Sequence, residues 1–557
     1  MPASASTAGS LGSANPPDTL LTIAAYGAVI WLIEYYSRTY LGHDRYLYWF
    51  ACLAAWRYTR FLVSLVAWVA YRPAGIAANP RYTPHNDVTV ILPTIDPTGV
   101  DFQECILTCA QNSPAAILVI TAGDELLRRT QVAVQPYIDQ FPSVKFTISR
   151  TSVASKREQV ALAIPMVTTP ITVMLDDHVF WKPDFLTGLL APFEDSNVGL
   201  VGTNKAVRRV DNLSAWRRVW NMIGSVYLLR HNFEIRTTNA VDGGVFVVSA
   251  RTCAIRTAII QDPAYLAGYT NERFFFGRFG PLNADDDNYN TRFCVTRGWR
   301  IKVQYTPGTE ITTTVGVADP VATKFLGQCR RWVRTTWRSN SCSLFTDGSV
   351  WSQQPWCVYA VYLTSFTNFA LLTDPTLVYL LLQSSAARWC PHLVLWILFT
   401  KAVKVSAYFW QFPQDLWTFP CYLMFAYFHS LIKFWALLTF WDCAWSGRDF
   451  SKIDALAKSK ARSDKDDKPP STGESASSAE RTVDGIQKEV EHIMSDSEQK
   501  ASTTGHEESL EARISSAKSR DIHILLDKLE ALDRGRPSEG IRRMREVLER
   551  MSRRLAE

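Results

Sequence analysis

The sequence predicts an α/β domain, a parallel sheet with helices on both faces, inserted between two groups of membrane-spanning α-helices. Three observations predict it. Apolar, aromatic-rich runs fill residues 20–36, 46–71 and 356–440. Between them, short apolar runs at 88–93, 115–121, 144–149, 171–175 and 198–202 alternate with longer stretches of helical pattern, as strands joined by crossover helices do. Beyond residue 449 the chain turns polar, rich in Ser, Lys, Glu and Asp and almost free of aromatics.

Residues 1–18 are mostly Ala, Ser, Gly and Pro and read as a disordered start. They have no basic n-region, so the apolar run after them is not expected to be a cleaved signal. A membrane span needs about 20 apolar residues. Residues 20–36 are just long enough, and 46–71 form a second span interrupted by Arg57 and Arg60. Arginines inside a span are costly, so these two should face protein or water, or else lie near one interface of a tilted helix. Within 356–440, breaks at 373–375, 388–391 and 411–414 leave three long spans or four shorter ones. Segments 212–236 and 321–338 mix Trp with Arg, as interfacial helices do. The expected organisation is therefore a disordered start (1–18), two spans (19–78), the α/β domain (79–319), interfacial helices (320–350), three to four spans (351–448) and a tail (449–557). In the tail, 463–480 reads as disordered. Segments 521–533 and 540–556 have helical periodicity, suited to a coiled coil, a membrane surface or a solvated helix.

Composition excludes some classes. The 557 residues carry 59 Lys+Arg against 53 Asp+Glu, a formal charge of +6. No basic stripe interleaves with aromatics, so no nucleic acid is expected as a partner. The 11 Cys form no Cys-x-x-Cys pair, which argues against a zinc site or a disulfide framework. Cys105 and Cys109 read as packing on one helix face.

The chemistry concentrates where strands should end, since ligands of such sheets bind outside the carboxyl ends of the strands. Asp176-Asp177-His178 follows the run 171–175. Two adjacent acids there are costly unless they bind a cation or a polar ligand, and Mg²⁺ and Mn²⁺ take oxygen ligands and bridge to diphosphates. A helix N-cap is the other reading. Asp124 lies just after the run 115–121, Asp285-Asp286-Asp287 precedes a helical stretch, and Gln328, Arg331 and Trp332 come before the returning apolar region. Three consecutive acids cannot all be caps; one can act as a general base, its pKa raised by its neighbours.

In this order the residues resemble the processive, membrane-integrated family-2 glycosyltransferases, the group of the cellulose, chitin and hyaluronan synthases, and among them the fungal capsule- or cell-wall-type enzymes. The resemblance covers about residues 20–448. Thr94 and Asp96 match the first nucleotide loop, Asp124 the uracil-recognising acid, and Lys156, beside Ser155 and Arg157, the basic segment near the nucleotide. Asp176-Asp177 stands where the family has its metal-binding Asp-x-Asp. Asp242-Gly243-Gly244, placed before a strand, resembles the acceptor-side motif. Asp287, with Asp286, matches the catalytic acids. Gln328, Arg331 and Trp332 match Gln-x-x-Arg-Trp, and Trp445 and Arg448 the gating element after the last span. There are two departures. The Asp-x-Asp is not intact, leaving Asp177 as the metal ligand and Asp176 as a substitute beside the nucleotide, and Asp96 replaces the usual Asn.

The resemblance implies a GT-A-type, Rossmann-like cytosolic domain, a UDP-sugar donor, Mn²⁺ or Mg²⁺, and a growing polysaccharide as acceptor. The reaction is an inverting displacement, with the product extruded through the enzyme's own helices. Trp332 would stack on the acceptor sugar or anchor at the interface. The bilayer is a partner, self-association is left open, and the expected location is the plasma membrane with both termini and the catalytic domain cytosolic. The sequon Asn212-Leu213-Ser214 would then stay unmodified. Two other readings stand beside this one: transfer of a single sugar to a lipid such as dolichyl phosphate or ceramide, and a membrane scaffold or transporter with an inactive transferase-like domain. Retention of Asp124, Asp177, Asp287 and Arg331 together speaks against the scaffold or transporter.

Overall fold

The computed structural model describes residues 16–443. Trp445, Arg448 and the tail segments lie outside them. Ten strands are described: β1 (Val88–Pro93), β2 (Ala116–Ala122), β3 (Lys145–Thr151), β4 (Ile171–Leu175), β5 (Val179–Phe180), β6 (Val198–Thr203), β7 (Lys205–Val207), β8 (Thr252–Arg256), β9 (Arg300–Gln304) and β10 (Ile311–Thr313). The main sheet has the order β3-β2-β1-β4-β8-β6-β9, and a small second sheet has the order β5-β10-β7.

The apolar runs become strands because they can bury both faces. Every residue of β1, β4 and β6 is buried. Alternate side chains then serve different cores. Ile91, Leu118, Ile120 and Met174 pack on one face, and Val90, Leu92, Ile117, Val119 and Val173 on the other. Continuous rather than alternating hydrophobicity is what a sheet covered on both sides demands. Cys105 and Cys109 are both buried in the helix Val100–Gln111, as packing residues.

The sheet is mixed, not parallel throughout. β8 runs antiparallel to both β4 and β6. The cause is the 28-residue helix Ala215–Asp242. After it, the chain re-enters at the carboxyl edge, with Thr252 opposite Leu175, so β8 can only run back. The segment after Asp242-Gly243-Gly244 is correspondingly not a strand: Gly243 caps the helix at φ +75°, and β8 starts only at Thr252. This reversal sets Arg251 beside the strand-end acids, and the Asp176 N–H donates to the Arg251 carbonyl at 3.0 Å.

Before the domain come the helices Pro16–Leu41 and Arg45–Ala70. Asp44 caps the second by accepting from the N–H groups of Tyr46 and Leu47. Among the described residues these two helices are long and apolar enough to cross a membrane, or up to three if a bent pair counts as one span. That pair, Pro355–Thr367 and Ala370–Leu382, bends by 89°. The break falls at Asn368–Phe369, not at 373–375, and Arg57 spans it with bonds to Asn368 Oδ1 and Thr373 Oγ1, both at 2.9 Å. The remaining apolar stretch forms Cys390–Val403, Ser406–Gln411 and Phe419–Leu437. Arg57 and Arg60 face protein. Arg57 pairs with Asp374 at 2.5 Å, and Arg60 donates to Thr364 Oγ1 at 2.8 Å. The Trp- and Arg-bearing segments form the helices Ala215–Asp242 and Val321–Ser341; the first is buried on every side from Trp220 through Val226.

Candidate active site

One cavity of about 650 Å³ opens at the carboxyl edge of the main sheet. Five elements deliver its polar wall: the ends of β1 and β4, and the helices Lys156–Ala163, Asp286–Thr296 and Val321–Ser341. Thr94 follows β1 and is held in place by its backbone. Its N–H donates to the Ile120 carbonyl at 2.9 Å, while Gln159 Nε2 donates to the Thr94 carbonyl at 3.1 Å. Its hydroxyl donates to Asp177 Oδ2 at 2.9 Å, and His178 Nδ1 lies 3.1 Å from Asp177 Oδ1. Asp177 is thus a buried carboxylate with a fixed orientation.

Lys156 opens its helix just after the cap Ser155. Its ammonium bridges Asp176 Oδ1 and Asp286 Oδ2, each at 2.8 Å. Burial works against that charge, but the two carboxylates outweigh it and hold the pKa of Lys156 well above the ordinary lysine value. Burial likewise works against ionised Asp176, and Lys156 with His178 outweighs it, so Asp176 is held below the usual carboxylate range. Lys156 therefore ties the strand-end acids to the triple-Asp segment. Arg157, its neighbour, is buried away from the cavity on Glu272 and the carbonyls of Tyr269 and Ala284.

The three consecutive acids have three different environments. Asp285 adopts φ +64°, left-handed for a non-glycine residue, and Arg338 clamps it through Nε at 2.9 Å and Nη2 at 2.5 Å. Asp286 takes Lys156. Asp287 lines the cavity, and its pKa is pushed up to about 6 by burial and by Asp286 and Asp285, against the pull of Lys156 and Arg331. A buried acid titrating just below neutrality is suited to proton abstraction. Gln328, Arg331 and Trp332 come from one helix and line the same cavity. The Trp332 ring lies 5.2 Å from Tyr227, with the Arg251 guanidinium 5.4 Å from its centroid.

The structure thus gathers Thr94, Lys156, Asp176, Asp177, Asp286, Asp287, Gln328, Arg331 and Trp332 around one cavity. Asp96, Asp124, Asp242, Gly243 and Gly244 are not on its wall. Asp124 is exposed and pairs with Arg150 at 2.6 Å. Asp242 accepts from the N–H groups of Gly244 and Cys357 at 2.8 and 3.0 Å, which ties the helix end to the chain after residue 354. Sequence reasoning missed Lys205, His231 and Arg251, which also line the cavity. Lys205 Nζ lies 2.9 Å from His231 Nδ1, and burial with the nearby Arg251 charge pulls its pKa down to about 7. The available signal was a lone cation next to an apolar run, at 205 and at 251.

Comparison with known proteins shows the family. Residues 102–335 match the family model described as Glycosyltransferase like family 2. A type 2 glycosyltransferase of Gibberella zeae is 37% identical over 425 residues, covering 74% of this chain and 77% of that protein. One from Zymoseptoria tritici is 38% identical over 402 residues, covering 71% and 82%. Among solved structures, the mannosyltransferase PcManGT of Pyrobaculum calidifontis, in complex with GDP-Man and Mn²⁺, aligns with 68% of this chain and 97% of its own, at 18% identity and a TM-score of 0.41. On the identity and coverage of the fungal relatives, the chain belongs to the family-2 glycosyltransferases, with a GT-A-like α/β fold.

Proposed function

We propose that this enzyme polymerises sugar from a UDP-sugar donor and passes the growing chain into its own membrane helices. One observation carries the reading. The cavity that holds Asp177 and Asp287 continues past Trp332 to Arg60, Lys404 and Lys433 on the apolar helices. A catalytic centre and a passage between helices share one space.

In this reading the acceptor hydroxyl attacks the anomeric carbon of the donor sugar. The new C–O bond forms as the sugar–phosphate bond breaks, its electron pair leaves with UDP, and the hydroxyl proton goes to the Asp287 carboxylate. Such a single displacement inverts the anomeric configuration. Arg331 adds positive charge where the leaving diphosphate develops negative charge. Trp332 offers a flat face to the acceptor ring.

The donor set fits a divalent ion. Among the described residues no group of three or more His, Cys, Asp and Glu side chains is arranged to hold a metal. Mg²⁺-type ions at nucleotide sites need only one or two carboxylates, with phosphates and water supplying the rest. Asp177, flanked by His178, would hold the ion, which when bound neutralises the diphosphate. Asp176 is committed to Lys156 and orients that lysine instead. Asp177→Asn is expected to weaken the apparent metal affinity by more than the roughly 10- to 100-fold typical of losing an outer-shell partner, read as the Mn²⁺ concentration giving half-maximal transfer. An unchanged metal curve would remove Asp177 from this role.

The base must be ionised to work. With a raised pKa of about 6, transfer should be fully present above that pH and fall about tenfold per unit below it. A rate that stays flat down to pH 4.5 would exclude Asp287 as the base. The deciding experiment supplies membranes containing the protein with each labelled UDP-sugar and Mn²⁺ or Mg²⁺, then sizes the product. A high-mass, metal-dependent polymer is expected. A short product extractable into organic solvent would show a lipid acceptor and overturn the polymerase reading.

A further inference from the structure

The end of the cavity away from the acids is strongly basic. Arg57, Arg60, Arg230, Lys401, Lys404 and Lys433 line it. Two carboxylates answer these six cations. Glu234 is on the wall, and Asp374 pairs with Arg57 at 2.5 Å and Lys401 at 2.9 Å. The formal surplus is four positive charges, inside a part of the molecule made of apolar helices.

Some of this charge has a structural task. Arg60 donates to the Ala360 carbonyl at 3.0 Å, and Lys433 to the carbonyls of Ser365 and Asn368 at 2.6 and 3.0 Å. The Lys433 bonds satisfy open carbonyls at the 89° bend, and the Arg60 bond reaches a carbonyl of the helix that leads into it. Neutral amide donors would do the same, so the bend does not explain the charge. Among the described residues Lys404 and Arg230 have no hydrogen bond to a protein acceptor and no ion pair within 4.0 Å; Lys404 lies 5.7 Å from the rings of Phe61 and Phe233. His429 Nε2, on the same wall, is buried without a partner. Cations withdrawn from water are costly unless an anion meets them, and ionisable groups among membrane helices mark the path of a ligand.

We infer that this chamber binds carboxylate groups carried by the growing sugar chain, so that a UDP-uronic acid is one of the donors. The inference rests on the polymerase reading above. The chamber draws on several elements, among them the helices Arg45–Ala70, Ala215–Asp242 and Phe419–Leu437. A field spread along a passage suits a charge that recurs along a chain. A lipid phosphate is the other anion of this size. As an acceptor it is already ionised near neutrality and needs no base, whereas Asp287 is buried in the same cavity with its pKa raised to about 6. A sugar hydroxyl does need one. The anion therefore sits on the sugar and the nucleophile is a hydroxyl.

The test uses membranes bearing the full chain, given labelled UDP-glucuronate alone and in pairs with UDP-N-acetylglucosamine or UDP-glucose. The product is passed over an anion exchanger before and after reduction of its carboxyl groups. Label from UDP-glucuronate in a high-mass product, retained on the exchanger and released by carboxyl reduction, is the expected result. Arg230→Gln with Lys404→Gln should shorten that product at least tenfold, and Arg230→Lys with Lys404→Arg should restore its length. A high-mass product built only from neutral sugars and unretained would overturn the inference while leaving the polymerase reading intact. A small product whose charge is removed by phosphatase would overturn both, in favour of a phosphorylated lipid. Equal product length in the Gln and the Lys/Arg variants would show that these two cations do not act on the product, and would also overturn it.

Discussion

Asp287→Asn protein is expected to lose sugar transfer by about 10²- to 10⁴-fold, the usual worth of a positioned base, while becoming more stable. Both halves come from the same geometry. Asp287 is buried, and two neighbouring carboxylates add their repulsion, so its pKa is raised to about 6. Ionising it therefore costs the folded state. That cost is absent below the ordinary carboxylate range, grows as the pH rises towards 6, and is fully present above it. Asparagine keeps the shape, removes the charge and cannot accept the proton. Thermal unfolding in detergent should show a higher midpoint for the variant at pH 8 and little difference at pH 4. Its amount in the membrane should be unchanged. Loss of activity with a lowered midpoint at pH 8 would mean the residue holds the fold rather than the proton. The pairing of lost activity with gained stability is what a strained catalytic group predicts.

The second large effect is expected at Arg338, which the sequence motifs do not mark. It lies seven residues beyond Arg331 on the same helix, two turns on and so on a similar face. Its guanidinium clamps buried Asp285 and also donates to the carbonyls of Phe440 and Asp442 at 2.9 and 3.0 Å. It links the triple-Asp segment to the chain emerging from the last described helix. Arg338→Met would leave Asp285 with the Thr335 hydroxyl and no cation within the clamp. Breaking one side of a buried pair costs about 3–5 kcal/mol. The uncompensated Asp285 charge should also repel the ionised form of Asp287 and move the acid limb of the rate to higher pH. Asp285→Asn should move that limb the other way. The double substitution should recover part of the stability, because no buried charge then lacks a partner. Additive losses in the double-mutant cycle would refute the coupling.

Several parts of this protein were legible in the residue order. β1, β2, β3, β4 and β6 appear as apolar runs within a residue or two of their final bounds, and for the wholly buried β1, β4 and β6 the reason is that strands buried on both faces need nothing but hydrophobic side chains. The acids at 176, 177 and 285–287 stood out because charges next to such runs must have partners. The Gln328, Arg331 and Trp332 set was legible through its resemblance to a family motif whose members lie close together on one helix. These features depend on neighbours along the chain.

Other parts were decided by partners distant in sequence. The direction of β8 depends on where a 28-residue helix returns the chain, and a strand's own residues carry no record of that. Asp176 reads in the sequence as a residue beside the nucleotide, and nothing there shows that it shares the ammonium of Lys156, 20 residues earlier, with Asp286, 110 residues later. The bend at Asn368 is closed by Arg57 and Lys433 from other helices. Asp242 met backbone N–H groups instead of the cavity. Hydrophobic burial follows local pattern, because any apolar neighbour will serve. A buried charge is satisfied only by a particular donor or acceptor at hydrogen-bond distance, and only tertiary structure selects that partner.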